Sequence, residues 1–178
     1  MLEDKLNTYY NLLKKWMKYY NFEELNVFSE TDCDMVFKRN KFQASKFGKV
    51  DTYCCIKFIK GNATGDELKV YSQKMFTLAN KHRTGTPLGF GASLVVHPLL
   101  ITDNITLELS QFIKIYCPKH FAAAEFPSVL DLSTGIVYYY EYTPLWGYAY
   151  YNGYRRESYA LFSPLSWEQV SKAHSKII

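Results

Sequence analysis

The order of hydrophobic patterns in this chain predicts an α+β fold, a single domain in which helices pack on one mixed β-sheet. Three observations carry that expectation. An amphipathic helical stretch opens the chain and is followed by short β-branched and aromatic runs. A strongly signalled helix then separates two strand-like runs, Val50–Ile59 and Leu94–Ile101. Finally, Phe126–Glu157 combines turn residues with a density of aromatic rings found nowhere else in the chain. With 178 residues, 48% of them hydrophobic, the chain can bury one substantial core without disulfides or metals. It has no repeat, low-complexity linker or composition break, so residues 1–178 read as one unit.

Leu2, Leu6, Tyr9, Leu13, Trp16 and Tyr20 recur at helical spacing, with Lys5, Lys14, Lys15 and Lys18 largely off that stripe. Glu3–Tyr20 is therefore an amphipathic helix that docks on a core. Leu25–Phe28, Asp34–Phe42 and Val50–Ile59 read as three strands, with a turn at Phe47-Gly48-Lys49. Thr64-Gly65-Asp66-Glu67 matches a capping box, in which a hydroxyl and a carboxylate three residues later satisfy two free amides. Leu68, Tyr71, Met75, Leu78 and Ala79 form the apolar stripe of that helix, and Lys81-His82-Arg83 complements its negative end before Gly85 and Pro87. The apolar run Leu94–Ile101 is a buried strand. Ile105, Leu109, Phe112 and Tyr116 predict a helix that starts after Asp103 or Asn104 and stops at Pro118, although Ile105-Thr106-Leu107-Glu108-Leu109 also alternates like a strand. Ser163-Pro164-Leu165-Ser166, with a first-turn proline, opens a closing helix bearing Trp167, Val170 and His174 on one face.

Between these last two helices the chain reads as a tyrosine-rich β-meander. Ser128–Leu132 and Ile136–Tyr142 flank Ser133-Thr134-Gly135 as a hairpin, with Tyr138, Tyr140 and Tyr142 on one face and Tyr139 and Glu141 on the other. Thr143-Pro144 stops the ladder, because proline has no amide to donate. Asn152-Gly153 then signals a second tight turn, with Arg155-Arg156 as a basic tip.

Net charge is +4 and the pI is near 8.7, which permits a nucleic-acid partner but falls short of the basic stripe of a dedicated duplex-DNA binder. Cys33, Cys54, Cys55 and Cys117 have no zinc spacing, and adjacent Cys54 and Cys55 on a strand face opposite ways. His82, His97, His120 and His174 lack metal-ligand spacing, so neither a metal nor another cofactor is expected. Lysines interrupt the N-terminal stretch, and Ala92–Ile101 is too short to span a bilayer that needs about 20 apolar residues. A reduced, cytoplasmic protein is the expectation.

Two local constellations suggest chemistry and argue against it at once. The glycine-rich loop Thr84–Ser93 runs from a helix into a strand, whereas phosphate loops run from a strand into a helix N-terminus. Cys117-Pro118-Lys119-His120 sets a thiol near an imidazole for a hydrolase dyad. A helix C-terminus raises a thiol pKa, however, and no third group that would orient the imidazole is evident.

The order helix, three strands, helix, strand over Glu3–Ile101 resembles the core of the PD-(D/E)xK nucleases. In that family an acid on one strand and an acid-x-Lys on the next hold a divalent metal against the scissile phosphate. The resemblance places Asp34 in the first role and Cys55-Ile56-Lys57 in the second, with Asp51 nearby. It implies a nuclease or an inactive relative using Asp34, Asp51 and Lys57. Cys55 departs from the pattern, since a thiol stands where a hard cation wants an oxygen. Asp131 and Glu141 form a similar acid pair, but Thr143 follows where a lysine is needed.

The leading expectation is a non-catalytic binding or assembly protein. Its contact surface comprises Tyr140, Tyr142, Trp146, Tyr148, Tyr150, Tyr151, Arg155 and Arg156, and a protein partner or a second copy covers it. Tyrosine and arginine are the residues that carry interfaces and stack on planar ligands, and the C-terminal third holds more rings than a core of this size needs.

Overall fold

The computed structural model describes residues 2–26, 32–43, 48–83, 86–143 and 148–175. Helix α1 (Leu2–Tyr19) buries Tyr9, Leu13 and Met17, one per turn, and leaves its lysines exposed. Strands β1 (Glu23–Leu25), β2 (Met35–Gln43) and β3 (Gly48–Ile59) follow as an antiparallel set. Residues 27 and 28 of the expected first strand lie outside the described residues.

Helix α2 (Gly65–His82) begins at the expected capping box. The Thr64 hydroxyl accepts from the Glu67 amide at 3.2 Å, and the Thr64 amide donates back to the Glu67 carboxylate at 2.8 Å. The helix returns the chain so that β4 (Ala92–Thr102) lies parallel to β3. Helix α3 (Leu107–Ile115) starts three residues later than the acid-led boundary suggested, because the Thr106 hydroxyl caps it, accepting from the Leu109 amide at 3.1 Å.

Next come β5 (Lys119–His120), β6 (Ala123–Glu125), β7 (Ser128–Asp131) and β8 (Ile136–Tyr139), then α4 (Tyr148–Phe162) and α5 (Pro164–Ser175). The sheet runs β1-β2-β3-β4-β6-β5, with β7 also on β4 and β8 on β7. Pro127 explains why β6 and β7 are two strands along one edge of β4: it has no amide to continue the ladder.

Alternation along β4 divides the core. Leu94, Val96 and Leu100 pack with Leu68, Met75, Leu109 and Ile113 of α2 and α3. Leu99 and Ile101 pack with Leu13, Met17, Leu161, Phe162 and Trp167 of α1, α4 and α5. Both faces of the central strands are therefore dry, as their unbroken apolar runs require. The fold is α+β, a mixed sheet with helices on it. Among the described residues, no helix is long and apolar enough to cross a membrane.

The second half of the expected meander is corrected. Ser128–Tyr139 does form a hairpin, but Tyr148–Phe162 is a helix, so Asn152-Gly153 is mid-helix and Arg155-Arg156 is no tip. Tyr151, Tyr154, Ser158, Leu161 and Phe162 recur at helical spacing and turn inward together. Tertiary burial of that face overrides the poor local helix propensity of tyrosine, asparagine and glycine.

Candidate functional site: an aromatic-walled cavity where β4 and β6 begin

At the end of the sheet where β4 and β6 start, the first turns of α4 stand off from the strands and leave a cavity of about 310 Å³. Its floor is small, with Ala92, Ala122, Ala123 and Ala124, and Phe126, Tyr150, Tyr151 and Tyr154 supply its aromatic walls. Gly89 and Gly91 line the opposite side. Gly48 holds that loop close: a Cβ there would sit 2.0 Å from the Gly91 carbonyl oxygen, and the Lys49 amide donates to that same oxygen at 3.0 Å. Large rings project around this opening. Phe121 is 84% exposed, Phe90 76% and Tyr150 50%, and the Phe121 ring abuts Gly89.

The polar groups of the cavity are mostly committed to one another. Glu125 is buried, and its carboxylate accepts from the Ser72 hydroxyl at 2.5 Å and pairs with His120 Nε2 at 2.7 Å. The His120 ring stacks on Phe76, with centroids 3.7 Å apart. Cys117 Sγ donates to the Glu125 backbone carbonyl at 3.5 Å. Burial pushes the Cys117 thiol up to about 12, and the hydrogen bond from Tyr151 only partly offsets it. Thus Glu125 is the orienting partner that sequence could not assign to His120, yet it draws the imidazole to a carboxylate while the thiol is held neutral. Ser93 lines the cavity, and its Oγ is buried without a hydrogen-bond partner among the described residues.

Of the residues expected to form the contact surface, Tyr150 and Tyr151 line the cavity, Tyr150 half exposed and Tyr151 buried. The Tyr140 ring packs at a tilt against Tyr151, with centroids 5.4 Å apart, and exposed Tyr142 lies beside Tyr140 at 6.4 Å. Arg155 braces the segment after β8 instead of facing a ligand. Its guanidinium donates to the Tyr140 and Glu141 carbonyls and to the side chains of Thr143 and Asn152. Arg156 is exposed on the same helix. Trp146 and the side chain of Tyr148 lie outside the described residues.

The three residues of the nuclease resemblance are not brought together. Asp51 pairs with Asn40 across the ladder, where it accepts from that amide at 2.6 Å and meets Lys38 at 3.5 Å. Six residues along an extended strand put Lys57 roughly 20 Å from it. Asp34 sits at the Lys57 end, accepting from the Tyr10 hydroxyl at 2.5 Å and the Phe58 amide at 2.7 Å. Cys55, in the carboxylate position, is fully buried, and burial raises its thiol well above the usual range. The other acid pair also separates, with Asp131 closing its own turn onto Ser133 and Glu141 bridging Lys114.

A second polar cluster, which sequence reasoning passed over, lies on the same helix. His97 is buried on β4, with Nε2 3.3 Å from Glu157 and Nδ1 3.1 Å from the Ser158 hydroxyl. Arg39 of β2 pairs with the other Glu157 oxygen, and its guanidinium lies 4.4 Å over the Phe22 ring. Burial alone would raise the Glu157 carboxyl, but His97 and Arg39 outweigh it and hold the group down at about 2. The signal in the sequence was faint: a histidine inside an apolar strand and a glutamate that falls on the buried side of a helix.

No protein-family model, curated protein or solved structure matches the chain.

Proposed function

We propose that this is a non-catalytic binding protein that receives a ligand in the cavity between α4 and the starts of β4 and β6. The observation that carries the reading is a 310 Å³ recess with an alanine floor and tyrosine walls, at the small end of the size range of ligand pockets. Exposed Phe90, Phe121 and Tyr150 extend that apolar surface outward. Catalysis by the neighbouring thiol and imidazole is disfavoured, because each is engaged elsewhere and the thiol stays protonated near neutral pH.

Titration of isotope-labelled protein with indole, followed by amide chemical shifts, tests this. Shifts confined to Gly91–Leu94, Ala122–Glu125 and the first turns of α4 are expected. Light scattering in the same buffer checks the assembly form of the reading, in which a second copy fills the recess. A monomer with an unperturbed spectrum at millimolar indole would refute the proposal.

The order of elements from α1 to β4 favours a second reading, descent from a PD-(D/E)xK-like nuclease, with Asp34 placed beside the residue that follows Lys57. Buried Cys55 in place of the second carboxylate favours an inactive descendant. Manganese-dependent cleavage of DNA or RNA that disappears in Asp34→Ala would support an active enzyme. Failure to bind manganese in calorimetry would reject it.

A further inference from the structure

We infer that the cavity takes an unpaired nucleobase whose phosphate rests on the lysine-rich end of the sheet. This deepens the binding reading above and rests on it.

Strand direction gathers several cations at the cavity end. Parallel β3 and β4 begin at the cavity end, β2 finishes there, and α2 returns to it. Exposed Lys41, Lys49, Lys81, His82 and Lys119 accordingly gather at that end, with Arg83 beside them. Of the carboxylates toward that end, Asp51 pairs with Lys38 and Asn40, Glu125 with His120 and Ser72, and Glu141 with Lys114. At the other end of the same strands Asp32, Asp34, Asp66, Glu67, Asp103 and Asp131 are mixed with Lys57, Lys60 and Lys74, the last paired with Asp32 at 2.5 Å. A modest net charge of +4 therefore conceals a molecule with a basic pole, and the cavity opens at that pole.

Aromatic faces beside cations select planar, anionic ligands. Bases stack on tyrosine and phenylalanine while lysines track the phosphate. The base must be unpaired, since a duplex keeps its ring faces stacked and unavailable to Tyr150 and Phe121. A free nucleotide and a single strand both offer this chemistry.

The test titrates labelled protein with adenosine 5′-monophosphate, adenosine and indole, and measures fluorescence anisotropy with a fluorescein-labelled ten-residue oligothymidylate at several salt concentrations. Nucleotide or oligonucleotide should shift the amides of Gly91–Leu94 and Ala122–Ala124, with adenosine binding more weakly than its phosphate. Tyr150→Ser and Phe121→Ala, both at exposed positions and checked for folding by circular dichroism, should each weaken binding about tenfold. Lys49→Glu combined with Lys119→Glu should weaken binding and flatten its salt dependence. Tight binding of the oligonucleotide alone would identify a single strand as the source, and comparable binding of the monophosphate a free nucleotide. Indole shifting these amides while neither nucleotide nor oligonucleotide does so would overturn the inference and leave the binding reading standing. Silence from every probe would overturn both. A labelled duplex bound as well as the single strand, or affinities unchanged in Tyr150→Ser and Phe121→Ala, would also overturn it.

Discussion

The molecule contains two histidine–glutamate pairs built in opposite senses. In the first, the imidazole of His97 is sealed in the core and the partly exposed Glu157 reaches to it, with Arg39 and Ser158 completing the set. In the second, the carboxylate of Glu125 is sealed and the partly exposed His120 reaches to it, beside the cavity. The same two side chains thus do different things according to which one is buried. The His97 pair ties α4 to the sheet through Glu157 and Ser158. The His120 pair fixes one wall of a recess while its ring lies on Phe76. Breaking the Arg39–Glu157 ion pair is costly because the Arg39 charge is left without its partner in a mostly buried setting. The first pair is therefore a clasp for the fold, and the second a support for the site.

The contrast is open to mutation. Glu157→Gln should cost about 3 kcal/mol, read from urea midpoints, because Arg39 and His97 lose their shared carboxylate in a mostly dry environment. Glu125→Gln should cost about 1 kcal/mol, since an amide can still accept from Ser72. Equal losses would erase the distinction.

Acid sharpens it. The Glu157 carboxyl falls from its usual value near 4.5 to about 2 in the folded chain. Its contribution is then fully present above about pH 4.5 and is lost as pH falls toward about 2. The stability gap between wild type and Glu157→Gln should narrow steadily over that window. A gap that stays constant would detach the clasp from the ionised carboxylate.

Cys117 probes the other region. With its thiol pushed up to about 12, it should resist iodoacetamide at pH 8 while free glutathione is consumed. Rapid labelling of Cys117 in the native protein, mapped by mass spectrometry, would restore the hydrolase reading. The smallest effect has the opposite sign. Gly153 lies within α4, and nothing stands within 4 Å of where its Cβ would be, so Gly153→Ala should stabilise the protein by about 0.5 to 1 kcal/mol. A destabilised variant would point back to the Asn-Gly turn suggested by the sequence.

Most described elements from α1 to β8 were legible because their signals are local and agree with one another, whereas the short strands β5 and β6 carried no signal of their own. The Thr64–Glu67 capping box, the alternation and turn of the β7–β8 hairpin and the apolar run of β4 each name one structure. Helix α4 was not legible in the same way. Its turn dipeptide and its ring-rich alternation pointed to strands, while the competing helical stripe from Tyr151 to Phe162 has its meaning only once β4 and α1 are there to cover it. The site divides likewise. Tyr150 and Tyr151 stood out by composition, but the wall made by Gly89–Leu94 and Ala122–Phe126 depends on parallel β4 and β6 starting side by side. No spacing within one segment encodes that meeting. The basic pole was hidden for a similar reason, as its lysines come from β2, β3, α2 and β5 and only strand direction gathers them.

The division between clasp and cavity is tested most directly by one paired measurement, urea midpoint and indole-induced amide shifts, on Tyr150→Ser and Glu157→Gln side by side. Tyr150→Ser should keep the wild-type midpoint and lose the shifts at Ala123 and Ala124, while Glu157→Gln should lower the midpoint and keep the shifts. If Tyr150→Ser retains the shifts, or if both variants lose midpoint and shifts together, the cavity is part of the same structural unit as the clasp and is not a binding site.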